Sequence, residues 1–148
     1  MAGLICIAQT SEVSLTAATA LSVLQIVAPA HQRLKVKSWG VFFDGVSGTA
    51  EPVEVRLVRN TDAGTFSSVT PVKQVAGSET VQTSAGHTAT VEPAVGDVLD
   101  VAEVHPQSGY EKLIPFDMPI EVPGGGRLAI ECTAPAGVNV RAKIIFEE

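Results

Sequence analysis

The stretch that most constrains the fold is Arg33–Gly45, which reads RLKVKSWGVFFDG. Apolar side chains alternate with polar ones at Leu34 and Val36, and the alternation resumes out of phase at Trp39. A period of two is typical of a strand with one buried face. The change of phase near Ser38 predicts a β-bulge, in which one strand carries an extra residue. We therefore expect a central strand here, with its tryptophan in the core.

The rest of the chain indicates an all-β protein. Short segments with alternating apolar residues recur, separated by Gly, Pro, Asn and Asp, which favour turns. This spacing predicts a jelly-roll-like β-sandwich of about eight to ten antiparallel strands. We expect at most one short helix, within Ser67–Ala76, and a surface excursion over Gly77–Ala89. The alternating segments 128–133 and 138–146 predict a hairpin closed by Ala134–Gly137.

The composition is apolar for a protein with a surface in water. Hydrophobic residues make up 45% of the chain, charged residues 18%, and the mean hydropathy is +0.27. No apolar run reaches the roughly 18 residues that a membrane-spanning helix needs. The apolar surplus favours an interface with another subunit or partner over simple enrichment of the core. The net charge of −6 argues against nucleic acid as that partner, because nucleic acid requires a basic surface.

Two segments are apolar on both faces, and they contain the predicted partner contacts. We expect one domain over residues 1–148, in which residues 1–10 form an extended N-terminal arm or a swapped strand. Such an arm could add a strand to a neighbouring molecule. The segment Leu21–Ala28 is the second candidate. The predicted contact residues of the two segments are Leu4, Ile5, Ile7, Leu24 and Ile26.

The two cysteines, Cys6 and Cys132, are far apart in the sequence. The opening residues MAGLICIAQT have no basic segment and too short an apolar run for a secretory signal, so we expect no export and no requirement for a disulfide. Two small buried side chains are the favoured interpretation. If the first and penultimate strands are neighbours, the alternative is pairing in an oxidising compartment.

No pattern in the sequence indicates catalysis or a metal site. The three histidines are isolated from one another, and no pair has the spacing of metal ligands on a strand. A G-x-S-x-G motif is absent, although a dispersed catalytic triad leaves no local signature. We therefore predict a protein that is not an enzyme and has no catalytic residue, metal or cofactor.

Three further features have a plainer explanation than a ligand site. Gly124–Gly126 followed by Arg127 could form an anion-binding nest, but a strand is predicted next, so we favour a plain loop. Paired carboxylates occur in glycosidases, but the acidic row within Asp97–Glu103 is explained by a solvated strand face. Tyr110 is a candidate platform for a sugar ring, although a single ring is a weak signal.

Three segments, Leu24–Gly45, Pro52–Gln74 and Glu103–Glu148, together resemble the capsid decoration, or cement, proteins of tailed bacteriophages, of jelly-roll type. The likeness covers most of the chain and is weakest at the N-terminus and over Gly77–Val95. This resemblance implies a β-sandwich that binds the outer surface of an icosahedral capsid. It also implies that the protein stabilises the capsid by clamping neighbouring major capsid subunits.

The resemblance further implies partners and a location. The partner would be the major capsid protein, and the chain would form a homo-oligomer, with a trimer favoured over a dimer. It would be made in the host cytoplasm and reside on the outer face of the virion capsid, without contact with nucleic acid or membrane. Two other functions stay open: a carbohydrate- or receptor-binding β-sandwich module of a phage particle, and a hydrolase of sandwich type with an unrecognised site.

Overall fold

The computed structural model describes residues 3–148, which form strands, turns and loops without a helix. No helix long and apolar enough to cross a membrane is therefore present in that range. The thirteen strands of residues 3–148 are β1 (Ile5–Gln9), β2 (Val13–Leu15), β3 (Ala20–Val27), β4 (Leu34–Phe43), β5 (Val53–Asn60), β6 (Thr65–Val69), β7 (Val72–Lys73), β8 (Ser84–Val91), β9 (Val95–Val104), β10 (Gly109–Leu113), β11 (Ile120–Val122), β12 (Arg127–Thr133) and β13 (Val138–Glu147).

The strands form two antiparallel sheets that pack face to face around one core. Sheet A has the order β10-β4-β13-β1-β7, with β11 also paired to β4 and β2 also paired to β13. Sheet B has the order β6-β8-β3-β12-β5-β9. The predicted β-sandwich is confirmed. The described residues form more strands than expected, because pieces of two or three residues such as β2, β7 and β11 are too short to show an alternating pattern.

Strand β4 has the central place that its alternation predicts. It lies between β10 and β13 in sheet A, and its tryptophan is fully buried. The predicted β-bulge is confirmed: Ile145 of β13 lies opposite Ser38, whereas the next residue, Phe146, lies opposite Val36. Lys37 is therefore the extra residue on β4. The change of phase in the sequence marks this irregularity of the strand.

The predicted hairpin over residues 128–146 is wrong. Strand β12 lies in sheet B between β3 and β5, whereas β13 lies in sheet A between β4 and β1. Ala134–Gly137 therefore connects the two sheets rather than two neighbouring strands. Two consecutive alternating segments can face each other across a core as well as pair side by side, and the sequence pattern is the same in both arrangements.

The segment from Ser67 to Ala89 also differs from the prediction. Instead of a helical turn, Ser67–Ala76 contains the end of β6, the buried Pro71 and the short strand β7. The surface excursion is shorter than expected, because β8 is an inner strand of sheet B between β6 and β3. Small residues suit this strand, since a Cβ on Gly86 would come within 2.5 Å of the Cβ of Phe66.

Within the chain, part of the N-terminal segment for which an extended arm or a swapped strand is predicted forms an inner strand. Strand β1 pairs with β13 on one side and with β7 on the other, within the same chain. Its residues Cys6 and Ala8 are fully buried in the core. Met1 and Ala2, which belong to the predicted arm, lie outside the described residues. Residues 5–9 thus contribute to the fold itself.

Both cysteines are buried and neither forms a disulfide, as the favoured interpretation expects. Cys6 lies on β1 of sheet A, and Cys132 lies on β12 of sheet B. Burial raises the pKa of the Cys6 thiol and, more strongly, the pKa of the Cys132 thiol. Because the thiolate is the reactive form, both side chains act as small apolar groups at neutral pH.

Candidate partner-binding surface

Each sheet has one face on the core and one outer face. On β1, Cys6 and Ala8 face the core, so Ile5, Ile7 and Gln9 lie on the outer face of sheet A. Ile5 and Ile7 are only partly buried there. The alternation that makes this segment apolar on both faces therefore places two isoleucines at the surface of the folded chain.

Four apolar residues align in one row across the outer face of sheet A. Read across β7, β1, β13, β4 and β10, the residues paired in register are Val72, Ile7, Ile145, Ser38 and Leu113. We call Val72, Ile7, Ile145 and Leu113 the apolar row. Since neighbouring strands lie about 4.8 Å apart, the row spans about 19 Å. Its ends are the most exposed, with Val72 at 49% and Leu113 at 75%.

The apolar row continues into an exposed loop between β10 and β11. In this loop Phe116 is 92% exposed and Met118 is 71% exposed. The Nζ atom of Lys37 lies 5.6 Å from the centre of the Phe116 ring, which places the ring beside the bulge of β4, near Leu113. Single apolar residues are ordinary at protein surfaces, whereas a contiguous set marks a contact surface.

Charged residues beside the apolar row are paired with one another. The Nζ atom of Lys37 lies 2.6 Å from Oε2 of Glu147, and that of Lys143 lies 3.2 Å from Oε1 of Glu111. The hydrogen bond from Lys37 holds the pKa of Glu147 below its ordinary value. A partner that covered the row would therefore not have to bury these charges unpaired, which would be costly.

The outer face of sheet B is built differently, from buried polar residues that bond to one another. Nε2 of Gln25 donates a hydrogen bond to Oδ1 of Asn60 at 2.8 Å. Nε of Arg56 donates to Oε1 of Glu131 at 3.0 Å. Gln25, Asn60 and Glu131 are all more than nine-tenths buried. Polar groups withdrawn from water to this extent are stable only when they are paired.

A third polar contact completes this network on sheet B. The backbone N–H and the hydroxyl of Ser22 donate to the carboxylate of Glu92, at 2.9 and 2.7 Å. Between the polar groups lie Val58 and Ala129, which are fully buried although they lie on the outer face. The polar side chains of this face therefore cover the apolar atoms that lie between them. Exposed apolar residues of sheet B are concentrated on its edge strand β9, namely Val95, Val98 and Val101.

The predicted contact residues lie in three environments. Ile5 and Ile7 are on the outer face of sheet A, next to the paired charges. Leu4 is partly buried and packs against the core. Leu24 and Ile26 are fully buried in the core. A partner cannot reach these last two in the folded chain, and that part of the prediction is wrong.

The prediction for β3 failed because the strand contains a bulge. In its pairing with β12, Ile130 lies opposite Leu24, whereas Glu131 lies opposite Ser22. Val23 is therefore the extra residue, and both Val23 and Leu24 join the core. The sequence suggests two apolar faces because the bulge changes the phase of the alternation. The apolar residues before and after the bulge point to the same side of the sheet, which is the core.

Sequence analysis missed three members of the apolar row. Val72 and Leu113 lie on short strands, where no alternating pattern could assign them to a face. Ile145 did leave a signal, because it is an apolar residue at an outward position of β13, between the buried Ile144 and Phe146.

Tyr110 is not an exposed platform for a sugar ring. Its ring centre lies 5.3 Å from that of the buried Trp39, with an angle of 54° between the planes. Its hydroxyl donates to Oδ2 of Asp100 at 3.4 Å, and Asp100 also pairs with Lys112 at 3.2 Å. Burial and the carboxylate of Asp100 raise the pKa of Tyr110. The acidic row thus includes a carboxylate with structural partners.

A cleft of about 610 Å³ lies where the loops after β4, β9 and β12 meet. Its walls include Asp44, Glu51 and Asn139. The backbone N–H and side-chain amide of Asn139 each donate to Asp44 at 3.0 Å, and these bonds lower the pKa of Asp44. Within residues 3–148, no three His, Cys, Asp or Glu side chains are grouped to hold a metal.

No family model, curated protein or solved structure matches the chain. The outer face of sheet A aligns apolar side chains across neighbouring strands, whereas the exposed valines of sheet B are concentrated on its edge strand β9.

Proposed function

We propose that this protein is a structural component of a phage particle that binds the outer surface of the capsid and clamps neighbouring major capsid subunits. The observation that supports this proposal best is the apolar row, together with the exposed Phe116 beside it. The resemblance of segments 24–45, 52–74 and 103–148 to decoration proteins supplies the identity of the partner. Catalysis is not part of the proposal.

The apolar row can supply free energy for such a contact. Removing apolar area from water is worth roughly 25 cal/mol per Å². A protein that binds the assembled capsid but not its dissociated subunits stabilises the capsid by mass action. A homo-oligomer, for which we favour a trimer over a dimer, would engage several capsid subunits at once and raise the apparent affinity without new contacts.

Co-sedimentation with purified heads of the phage whose genome encodes the chain tests the proposal. We expect saturable binding with a fixed number of copies per capsomer. We also expect decorated heads to withstand higher temperatures than bare heads, because binding is linked to assembly. Tails and fibres of the same phage are the control. Saturable binding to tails or fibres, with none to heads, would contradict the proposal.

The 610 Å³ cleft favours a second candidate function, a carbohydrate- or receptor-binding module of the particle. Carboxylate and amide groups such as those of Asp44, Glu51 and Asn139 can bond to sugar hydroxyls. A glycan array tests this function. Binding of a defined glycan that is lost in Asp44→Ala and kept in Tyr110→Phe would support it, and an array without binding would remove it.

A further inference from the structure

A second cleft, of about 310 Å³, lies at the opposite end of the strands, where β5 ends and β12 begins. Its walls include Arg59, Asn60 and Arg127, which all carry hydrogen-bond donors. An adjoining cleft contains Arg33 and shares Arg59. Three of the five arginines of the chain therefore line these two clefts, although the net charge is −6.

Two buried donors at this cleft have no acceptor among residues 3–148, namely Nδ2 of Asn60 and Nε of Arg127. Asn60 is only 7% exposed, and its Oδ1 already accepts a hydrogen bond from Gln25. Buried donors in folded proteins are nearly always paired, with protein, water or a ligand. Two unpaired, buried donors on residues that line one cleft therefore call for an acceptor that comes from outside the chain.

Arg127 also differs from its neighbours in its ionic contacts. Nη1 of Arg59 lies 3.6 Å from Oδ2 of Asp97, and Nη1 of Arg33 lies 2.9 Å from Oε2 of Glu121. Arg127 has no carboxylate within ion-pair distance in the described part of the chain. A guanidinium matches the geometry of carboxylate and phosphate oxygens.

The glycine loop beside the cleft does not supply these donors. The N–H of Gly125 donates to the carbonyl of Pro29 at 3.0 Å, and the N–H of Gly126 donates to the carbonyl of Pro123 at 2.8 Å. These amides are occupied within the loop, so it is not an anion-binding nest, in agreement with the plain loop expected from the sequence. The unpaired donors belong to side chains.

We propose that this cleft binds one oxyanion group, a carboxylate or a phosphate, between Arg127 and Asn60. The anion accepts hydrogen bonds from Nε–H of Arg127 and from Nδ2–H of Asn60, while Arg59, which pairs with Asp97, lines the same cleft. The site lies at the end of the strands, away from the apolar row on the outer face of sheet A. The inference therefore stands or falls independently of capsid binding.

NMR titration of the full chain tests the site. The probes are the Nε–H signal of Arg127 and the side-chain amide signals of Asn60, and the ligands are inorganic phosphate in one arm and glutarate in the other. Sodium chloride at matched ionic strength is the reference. We expect saturable shifts of both probes. The ligand that binds with the higher affinity, phosphate or glutarate, identifies the kind of oxyanion. Arg127→Gln should weaken binding about tenfold or more, as followed on Asn60.

One matched variant serves as the control, and two outcomes would refute the site. Arg141→Gln removes an exposed arginine from sheet A and should leave the affinity unchanged. Equal affinity in Arg127→Gln and the unaltered chain would mean an adventitious ion only. Slow solvent exchange of the Arg127 Nε–H in anion-free buffer, with no shift on titration, would mean that Oδ1 of Asn60 accepts a hydrogen bond from Arg127 within the chain. Either result overturns the site.

Discussion

The two outer faces of this sandwich differ in how their apolar side chains are covered. On sheet B, the polar contacts Gln25–Asn60 and Arg56–Glu131 cover the inner strands of the face, where even Val58 is withdrawn from water, and exposed valines are concentrated on the edge strand β9. On sheet A, the apolar row leaves apolar atoms exposed, while the charges around it are paired. The exposure of apolar residues on sheet A is therefore not required by the fold.

The two outer faces are expected to contribute to different properties, sheet B to the stability of the fold and sheet A to binding. A face whose buried polar groups are paired contributes to the folded state, and it becomes costly when one partner is removed. A face with exposed apolar side chains contributes little until something covers it. We therefore expect substitutions on sheet B to lower the free energy of unfolding, and substitutions on the apolar row to lower binding instead.

Arg56→Met gives the largest expected loss of stability on sheet B. It leaves the carboxylate of Glu131, which is 6% exposed, without its guanidinium partner. We expect the free energy of unfolding to fall by about 3 kcal/mol in urea denaturation. The double variant Arg56→Met with Glu131→Leu should recover most of this loss, because no unpaired charge stays buried. A double variant as unstable as the single one would contradict an unpaired buried charge as the cause of the loss.

Glu92→Ala should have a smaller effect on the same face. It removes the acceptor of the Ser22 backbone N–H and hydroxyl, and Ser22 is fully buried. The expected loss is about 1.5 kcal/mol in the same assay. Glu103→Ala on β9 is the control, since Glu103 is exposed. Equal losses in the two variants would show that Glu92 acts only as surface charge.

Glu147→Gln tests the paired charges on sheet A through their pH dependence. The bond from Lys37 lowers the pKa of Glu147 in the folded state, so the pair stabilises the protein above the ordinary pKa of 4.5. That stabilisation is lost as the pH falls through the lower folded pKa. We expect a loss of about 1 kcal/mol near neutral pH and none once both states are protonated. A pH-independent loss would contradict the ion pair.

Ile145→Thr should have the smallest effect on stability. Ile145 lies on the outer face and is only partly buried, so we expect thermal denaturation to report a loss below about 1 kcal/mol. Ile144→Thr is a closely matched control on the adjacent, fully buried residue, and it should cost about 3 kcal/mol. Similar losses at the two positions would mean that Ile145 belongs to the core.

The features that sequence analysis could predict are local ones. The bulge in β4 follows from a change of phase within a few residues, and the placement of Ile5 and Ile7 on one face of β1 follows from alternation. The apolar row depends on register between strands that are distant in the chain, such as the pairing of Ile145 with Ser38. A single sequence gives no measure of that register, because alternation fixes faces and not neighbours.

The polar face of sheet B was unpredictable for a related reason. Gln25, Asn60 and Glu131 lie on three different strands, and each one alone is typical of a solvated position. Their burial follows from mutual pairing across β3, β12 and β5. In the same way, Asn60 and Arg127 come together at one cleft only because their strands are neighbours.

Binding of two matched double variants to purified phage heads tests whether the outer face of sheet A is the partner surface. Ile7→Ser with Ile145→Ser alters the apolar row, whereas Val98→Ser with Val101→Ser alters exposed valines of sheet B. We predict that the first variant stays folded and loses about tenfold or more in affinity, and that the second binds like the unaltered chain. Full binding by the first variant, or loss of binding only in the second, would contradict a partner surface on sheet A.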